Sequence, residues 1–183
     1  PFFFQKSPDN LLAAGAPQGC NFPYPPKSDN VHYEIELVCA LGGGGTDIPE
    51  DTAMDLVWGY GVGLDMTRRD LQGEAKKAGR PWDVGKAFEY SAPITPLHPA
   101  ADVPDMSQTR IWLDVNNETR QDGNTNQLIW SLPETISYLS GLFELRPGDL
   151  IFTGTPAGVG PVVPGDVLEG GVEGLGGIKI TVT

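Results

Sequence analysis

The chain has 183 residues, enough for one domain with a substantial core and too few for two of ordinary size. Hydrophobic residues make up 39% and aromatics 9%, an ordinary globular balance, and no apolar run approaches the ~20 residues a membrane helix needs. The formal charge of −12 argues against nucleic acid or an anionic membrane surface as a partner. Cys20 and Cys39 lack metal-type spacing and nothing resembles a signal peptide, so two reduced thiols in a cytoplasmic protein are expected.

The chain opens on Pro1-Phe2-Phe3-Phe4-Gln5-Lys6, without Met and already in an apolar β-like run, as expected of a sequence incomplete at its N-terminus. Residues 15–26 are rich in Gly and Pro and read as an irregular surface segment. Residues 31–41, VHYEIELVCAL, read as a strand entering the core, on which Glu34 and Glu36 face one way and Tyr33, Ile35 and Leu37 the other. Two carboxylates about 7 Å apart on a strand repel by roughly 2 kcal/mol at an effective dielectric of 20, before desolvation is counted. A solvated outer face removes that cost, and so does a hard divalent cation, which turns repulsion into coordination.

Residues 42–45 are a glycine turn without the Lys-Ser/Thr of a phosphate loop. Asp47, Pro49 and Glu50 start a short helix carrying Ala53, Leu56 and Val57 on one face, and residues 57–64 form an apolar strand ending at a third carboxylate, Asp65. An acid at a strand's end is a common place for a site residue and favours the cation over the solvated face. From Thr67 the alternating charges of TRRDLQGEAKKAG predict an exposed helix stopping at Gly79, with Arg69 and Gln72 on one face. Six of the twelve basic residues lie here: Arg68, Arg69, Lys76, Lys77, Arg80 and Lys86. Lys76 and Lys77 read as a solvated face, whereas Arg69 and Lys86 beside a cation make a site for a small anion.

Residues 82–87 return as a loop ending in Lys86, and residues 111–115 alternate as a strand closed by an Asn116-Asn117 turn. Ser131-Leu132-Pro133-Glu134 is a capping box opening a helix through Tyr138 and Leu142, and Pro147-Gly148 and Pro164-Gly165 each introduce a strand. Between them, Thr153-Gly154-Thr155-Pro156 opens a loop that reads equally as an oxyanion-holding loop and as an ordinary glycine-rich turn.

These pieces together resemble the fumarylacetoacetate hydrolase family. The resemblance rests on YEIELV at 33 to 38, GYGVGLDMTRRDLQ at 59 to 72, GKAFE at 85 to 89, VNNETRQDGNT at 115 to 125 and RPGDLIFTGTPAGVG at 146 to 160, and it runs the length of the chain. Among members it is most similar to small bacterial fumarylpyruvate and acylpyruvate hydrolases. The resemblance implies a single domain over residues 1–183, a mainly β α+β fold of curled mixed sheets, and a homodimer. It also implies Mg²⁺ or Mn²⁺, with Ca²⁺ as an alternative, on Glu34, Glu36 and Asp65, with Arg69, Gln72 and Lys86 on the substrate side and Thr155 in the TGTP loop. The sequence departs at Ser7, Asn117 and Glu89, and it lacks the family's upstream lid bearing a His and a Glu that activate water, so no residue here is the expected general base. His32 is adjacent to Glu34's strand and reads as structural.

The activity implied is hydrolysis of a 3-acylpyruvate. The substrate's carboxylate and 2-oxo group would chelate the cation, a water would attack the distal carbonyl, and Lys86 would help stabilise the pyruvate enolate that leaves. Arg69 suits the far carboxylate of a fumaryl tail. Two alternatives use the same site, decarboxylation of oxaloacetate, which needs no water-activating base, and tautomerisation of the same enolates. A third is of another class, a metal- or ligand-binding protein without catalysis.

Overall fold

The computed structural model describes residues 1–183. Strands β1 (Leu11–Ala13), β2 (Cys20–Phe22), β3 (Val31–Tyr33) and β4 (Ile35–Leu41) come first, then a helical turn α1 (Glu50–Ala53) and strands β5 (Val57–Leu64) and β6 (Thr67–Arg68). Helices α2 (Arg69–Lys77) and α3 (Asp83–Lys86) precede β7 (Ala92–Ile94), β8 (His98–Pro99), β9 (Arg110–Val115) and β10 (Glu118–Asn124). Helix α4 (Leu132–Ser140) is followed by β11 (Leu150–Phe152), β12 (Gly160–Val162), β13 (Val167–Val172) and β14 (Gly176–Val182). The fold is α+β and mainly β.

Three sheets result, two mixed and one antiparallel. One has the order β1-β7-β5-β4-β11 with β8 on β5, the second β10-β9-β13-β14-β2, and the third β12-β3-β6. The β1–β7 and β14–β2 pairs are parallel and the others antiparallel. The first two sheets enclose the core, where Ile35, Leu113, Leu168 and Ile178 are fully buried, each contributing about 1.5–3 kcal/mol relative to exposure. A Cβ on Gly170 of β13 would stand 2.7 Å from Ile35 Cδ1, so this glycine lets β4 approach the second sheet.

The expected single strand over residues 31–41 is two. At Glu34 the chain leaves the small sheet, where β3 pairs β12 and β6, and enters the large one, where β4 pairs β5 and β11. The alternation survives the break, for Tyr33, Ile35 and Leu37 are buried, but Glu36 is buried as well, at 4% exposure, because β4 is covered on both faces.

Local readings differ at several points. Pro1 to Lys6 form no strand, and Phe2 and Phe4 pack on Trp82. The Gly/Pro segment is not wholly irregular, since β2 pairs β14 and buries Phe22. Thr67 and Arg68 pair β3 as β6, so α2 starts at Arg69; it ends with Gly79 at φ 63°. Residues 83–86 are a helical turn rather than loop. Val57 begins β5 instead of ending the preceding helix, and α4 stops at Ser140, short of Leu142. The Ser131 capping box forms, and Asn116 and Asn117 close the β9–β10 hairpin with φ of 53° and 64°. No helix is long and apolar enough to cross a membrane, and both cysteines are free.

Candidate functional site

The break at Glu34 and the end of β5 bring the three acids together. Asp65 N donates to Glu34 O at 2.8 Å, tying the junction of β3 and β4 to the residue that follows β5. One carboxylate oxygen each from Glu34, Glu36 and Asp65 then lies within 4.8 Å of the other two. Ligands on opposite sides of a divalent ion with metal–oxygen distances of about 2.0–2.6 Å stand roughly 4–5 Å apart, so one ion spans this spacing. Asp65 is 1% exposed and Glu36 4%, so the solvated-face reading is wrong for both.

Two lysines and an arginine serve these acids unequally. Lys86, buried at the end of α3, donates from Nζ to Asp65 Oδ2, to Thr67 Oγ1 at 2.7 Å and to Glu34 Oε1 at 3.2 Å. Arg69 opens α2 and donates from Nη2 to Glu34 Oε1 at 2.5 Å and from Nη1 to Gln72 Oε1 at 2.7 Å. Lys6 Nζ pairs with Asp65 Oδ1 at 2.9 Å and donates to the carbonyls of Met66, Ser91 and Lys86. Glu36 pairs with no cation and accepts only from Gly154 N, at 2.7 Å.

The electrostatics follow from that asymmetry. Burial, then the charges of Asp65 and Glu34, push the Glu36 carboxyl up to about 8, against the opposing pull of the Gly154 N–H and Lys86. Burial also lowers Lys6, with Asp65 opposing and Lys86 adding to the shift. A hard cation fits this donor set: three oxygens converge, and buried Glu36 has no partner charge.

A cleft of about 270 Å³ opens beside the acids, lined by Glu34, Arg69, Gln72, Lys76 and Lys86 and walled by Phe2, Phe4 and Trp82. Of the expected residues, Glu34, Arg69, Gln72 and Lys86 share this cleft, and Glu36 and Asp65 lie behind it. Thr155 is not part of its lining; it follows Gly154, the residue bonded to Glu36, and Thr155 Oγ1 accepts from Gln121 Nε2 at 2.8 Å. Lys76 is exposed, as a solvated face requires, yet borders the cleft. His32 is bonded through Nε2 to Asn30 Oδ1 at 2.9 Å and lowered by burial and by Arg69, in keeping with a structural role.

Three participants escape a reading of the sequence. Lys6 lies 59 residues or more from its partners in an apolar run, with no spacing to connect it to Asp65. Thr67 passes for an ordinary helix residue, and Gln121 for one polar residue in the polar run ETRQDGN.

The family model described as fumarylacetoacetate (FAA) hydrolase C-terminal matches residues 1–183. A fumarylpyruvate hydrolase from Ralstonia sp. is 48% identical over 181 residues, covering 99% of this chain and 92% of the relative. A mitochondrial oxaloacetate tautomerase from Homo sapiens is 45% identical over 162 residues, 88% of this chain and 73% of the relative. The crystal structure of fumarylpyruvate hydrolase from Pseudomonas aeruginosa in complex with Mn²⁺ and pyruvate superimposes with a TM-score of 0.97 at 53% identity, over 100% of this chain and 78% of that one. The family model and these relatives cover the whole length of this sequence, and the chain belongs to the fumarylacetoacetate hydrolase family.

Proposed function

We propose that this chain is a metal-dependent hydrolase that cleaves the carbon–carbon bond of 3-acylpyruvates, with fumarylpyruvate, giving fumarate and pyruvate, as the favoured substrate. The observation that carries the reading is the convergence of Glu34, Glu36 and Asp65 beside an open cleft lined by Arg69 and Lys86. The relatives named fumarylpyruvate hydrolase, one of them with Mn²⁺ and pyruvate, support it.

Glu34, Glu36 and Asp65 would hold Mg²⁺ or Mn²⁺, which when bound supplies Lewis acidity to an α-keto carboxylate. The remaining steps fall to the chain itself. Arg69 and Gln72 already form a hydrogen-bonded pair on the cleft wall, and the guanidinium is suited to a carboxylate by its planar fork of donors. Phe2, Phe4 and Trp82 give an unsaturated acyl tail an apolar wall and restrict water. The longest of Lys86's contacts, 3.2 Å to Glu34, points to the cleft-facing acid, so this N–H is the one able to turn to the oxygen on which enolate charge develops. Thr155 lies outside the cleft lining, but accepting from Gln121 Nε2 at 2.8 Å leaves its hydroxyl proton available, in line with the substrate-side role that the family resemblance implies.

The same reading includes a cytoplasmic homodimer in aromatic catabolism. Exposed apolar side chains at Ile129, Trp130, Leu142 and Phe143 are consistent with a subunit contact.

A second reading, oxaloacetate tautomerisation or decarboxylation at the same site, is supported by the relatives named oxaloacetate tautomerase, 45% identical, and oxaloacetate decarboxylase, 42% identical. A panel of fumarylpyruvate, acetylpyruvate and oxaloacetate with Mg²⁺ or Mn²⁺ separates the readings. Release of pyruvate and fumarate from fumarylpyruvate is expected, and turnover of oxaloacetate alone would replace the hydrolase with the decarboxylase or tautomerase.

A further inference from the structure

At Glu34 the chain changes sheets, and the change leaves a backbone group unserved. On one edge β4 pairs β5 from Ile35 onward, but on the other β11 covers only Val38, Cys39 and Ala40. The N–H of Ile35, between the two glutamates, therefore has no strand to donate to on that edge. It donates to Gln121 Oε1 at 3.0 Å.

Gln121 reaches this position through a bulge. In the β9–β10 hairpin Thr119 pairs Asp114 and Gln121 pairs Leu113, so Arg120 is the extra residue, and Gln121 alone of β10 is fully buried. Its amide also donates from Nε2 to Thr155 Oγ1 and to Pro156 O, both at 2.8 Å. The orientation is unambiguous, because Ile35 N can only donate and Pro156 O can only accept. The loop is seated on the same bulge: Gly158 has φ 104°, and a Cβ there would fall 1.9 Å from Arg120 O. That loop contains Gly154, whose N–H is the sole hydrogen bond to Glu36.

One side chain thus spans the backbone between two ligands and the loop that fixes the second of them. We propose that Gln121 is a positioning residue of the metal site, aligning Glu34 and Glu36 by clamping Ile35 N to the Thr155–Pro156 segment. The inference rests on the metal-site reading above and deepens it. Outer groups that orient ligands typically change metal affinity by about 10- to 100-fold when removed.

The test is calorimetric titration of the full chain with Mn²⁺ alone, together with the EPR spectrum of the bound ion. Gln121→Met is expected to weaken Mn²⁺ binding by about 10- to 100-fold and to alter the spectrum. Thr125→Val, which removes another buried hydrogen bond of the same hairpin, to Thr109 N at 2.9 Å, is expected to lower Tm while leaving Mn²⁺ affinity within about twofold. If Gln121→Met does not fold, Gln121→Asn carries the test: its amide is one methylene shorter, reaches only one anchor, and is expected to weaken Mn²⁺ in the same direction. Affinity within about twofold of wild type in either folded Gln121 variant would overturn the inference while leaving the metal site intact. Absence of Mn²⁺ binding to the wild-type chain would instead overturn the site reading, and this inference with it.

Discussion

Lys86 Nζ donates to Asp65 Oδ2 in the interior of the protein, with 2% of the lysine side chain and 1% of the aspartate exposed. Such a pair is weak evidence for stability as a whole, but removing Lys86 leaves buried Asp65 with Lys6 as its remaining cation. Lys86→Met is therefore expected to destabilise the metal-free protein by about 1–3 kcal/mol, short of the cost of a buried charge left wholly unpaired. A divalent ion serves Asp65 in place of the ammonium, so saturating Mn²⁺ is expected to recover much of the loss. Thermal unfolding with and without Mn²⁺ checks both, and turnover of fumarylpyruvate by the Mn²⁺-loaded variant is expected to fall by about 10²- to 10³-fold, the usual cost of losing a donor to developing charge.

The raised Glu36 carboxyl makes metal affinity and stability depend on pH in opposite senses. With a folded value of about 8 against an unfolded value near 4.5, the native metal-free chain binds the extra proton between those limits. Its stability is accordingly greatest below the unfolded value and declines as pH rises toward and through the folded one, at a slope of at most about 1.4 kcal/mol per pH unit. Binding a cation requires the ionised form, so Mn²⁺ affinity is expected to rise with pH up to about 8 and then level, with proton release on binding below it. Titrations in buffers of different ionisation enthalpy measure the released proton. Glu36→Gln is expected to bind Mn²⁺ weakly at every pH and to abolish the slope in metal-free stability.

Arg69 is joined to both Glu34 and Gln72, so its fork of donors is held open toward the cleft. Arg69→Met is expected to lower kcat/KM for fumarylpyruvate by about 10- to 100-fold, equivalent to about 1.4–2.7 kcal/mol. The loss for acetylpyruvate, which has no distal carboxylate, is expected to be smaller. Equal losses on the two substrates would place Arg69 on the pyruvate end.

The β9–β10 turn provides a control remote from the chemistry. Asn117 at φ 64° tolerates the left-handed region better than residues without a short polar side chain. Asn117→Ala is expected to cost about 1 kcal/mol in stability and Asn117→Gly to be neutral or slightly stabilising, neither changing Mn²⁺ affinity. Chemical denaturation beside metal titration checks the pair.

How much of this could be read beforehand depends on whether the cause is local. The ExE pattern, the strand ending at Asp65, the Ser131 capping box and the Asn116-Asn117 turn are written in consecutive residues, and each forms as expected. The break at Glu34 is not local: the apolar pattern of residues 31–41 is compatible with one strand, and only pairing with β12, β6, β5 and β11 divides it. Thr67 would prolong the helical pattern of its successors, but His32 captures it as a strand partner and Lys86 uses its hydroxyl. Lys6 and Gln121 meet their partners across 59 to 85 and 34 to 86 residues respectively, separations at which neither period nor spacing carries information. Phe2 and Phe4 have strand-like composition but find Trp82 rather than a strand edge.

The most direct measurement is the stoichiometry of Mn²⁺ on the wild-type chain and on Asp65→Ala, read by calorimetry and EPR. One ion per chain, with three carboxylates in its coordination, and its loss in Asp65→Ala is the expected result. No bound ion in the wild type, or an ion retained undisturbed after Asp65 is removed, would contradict the account at its root.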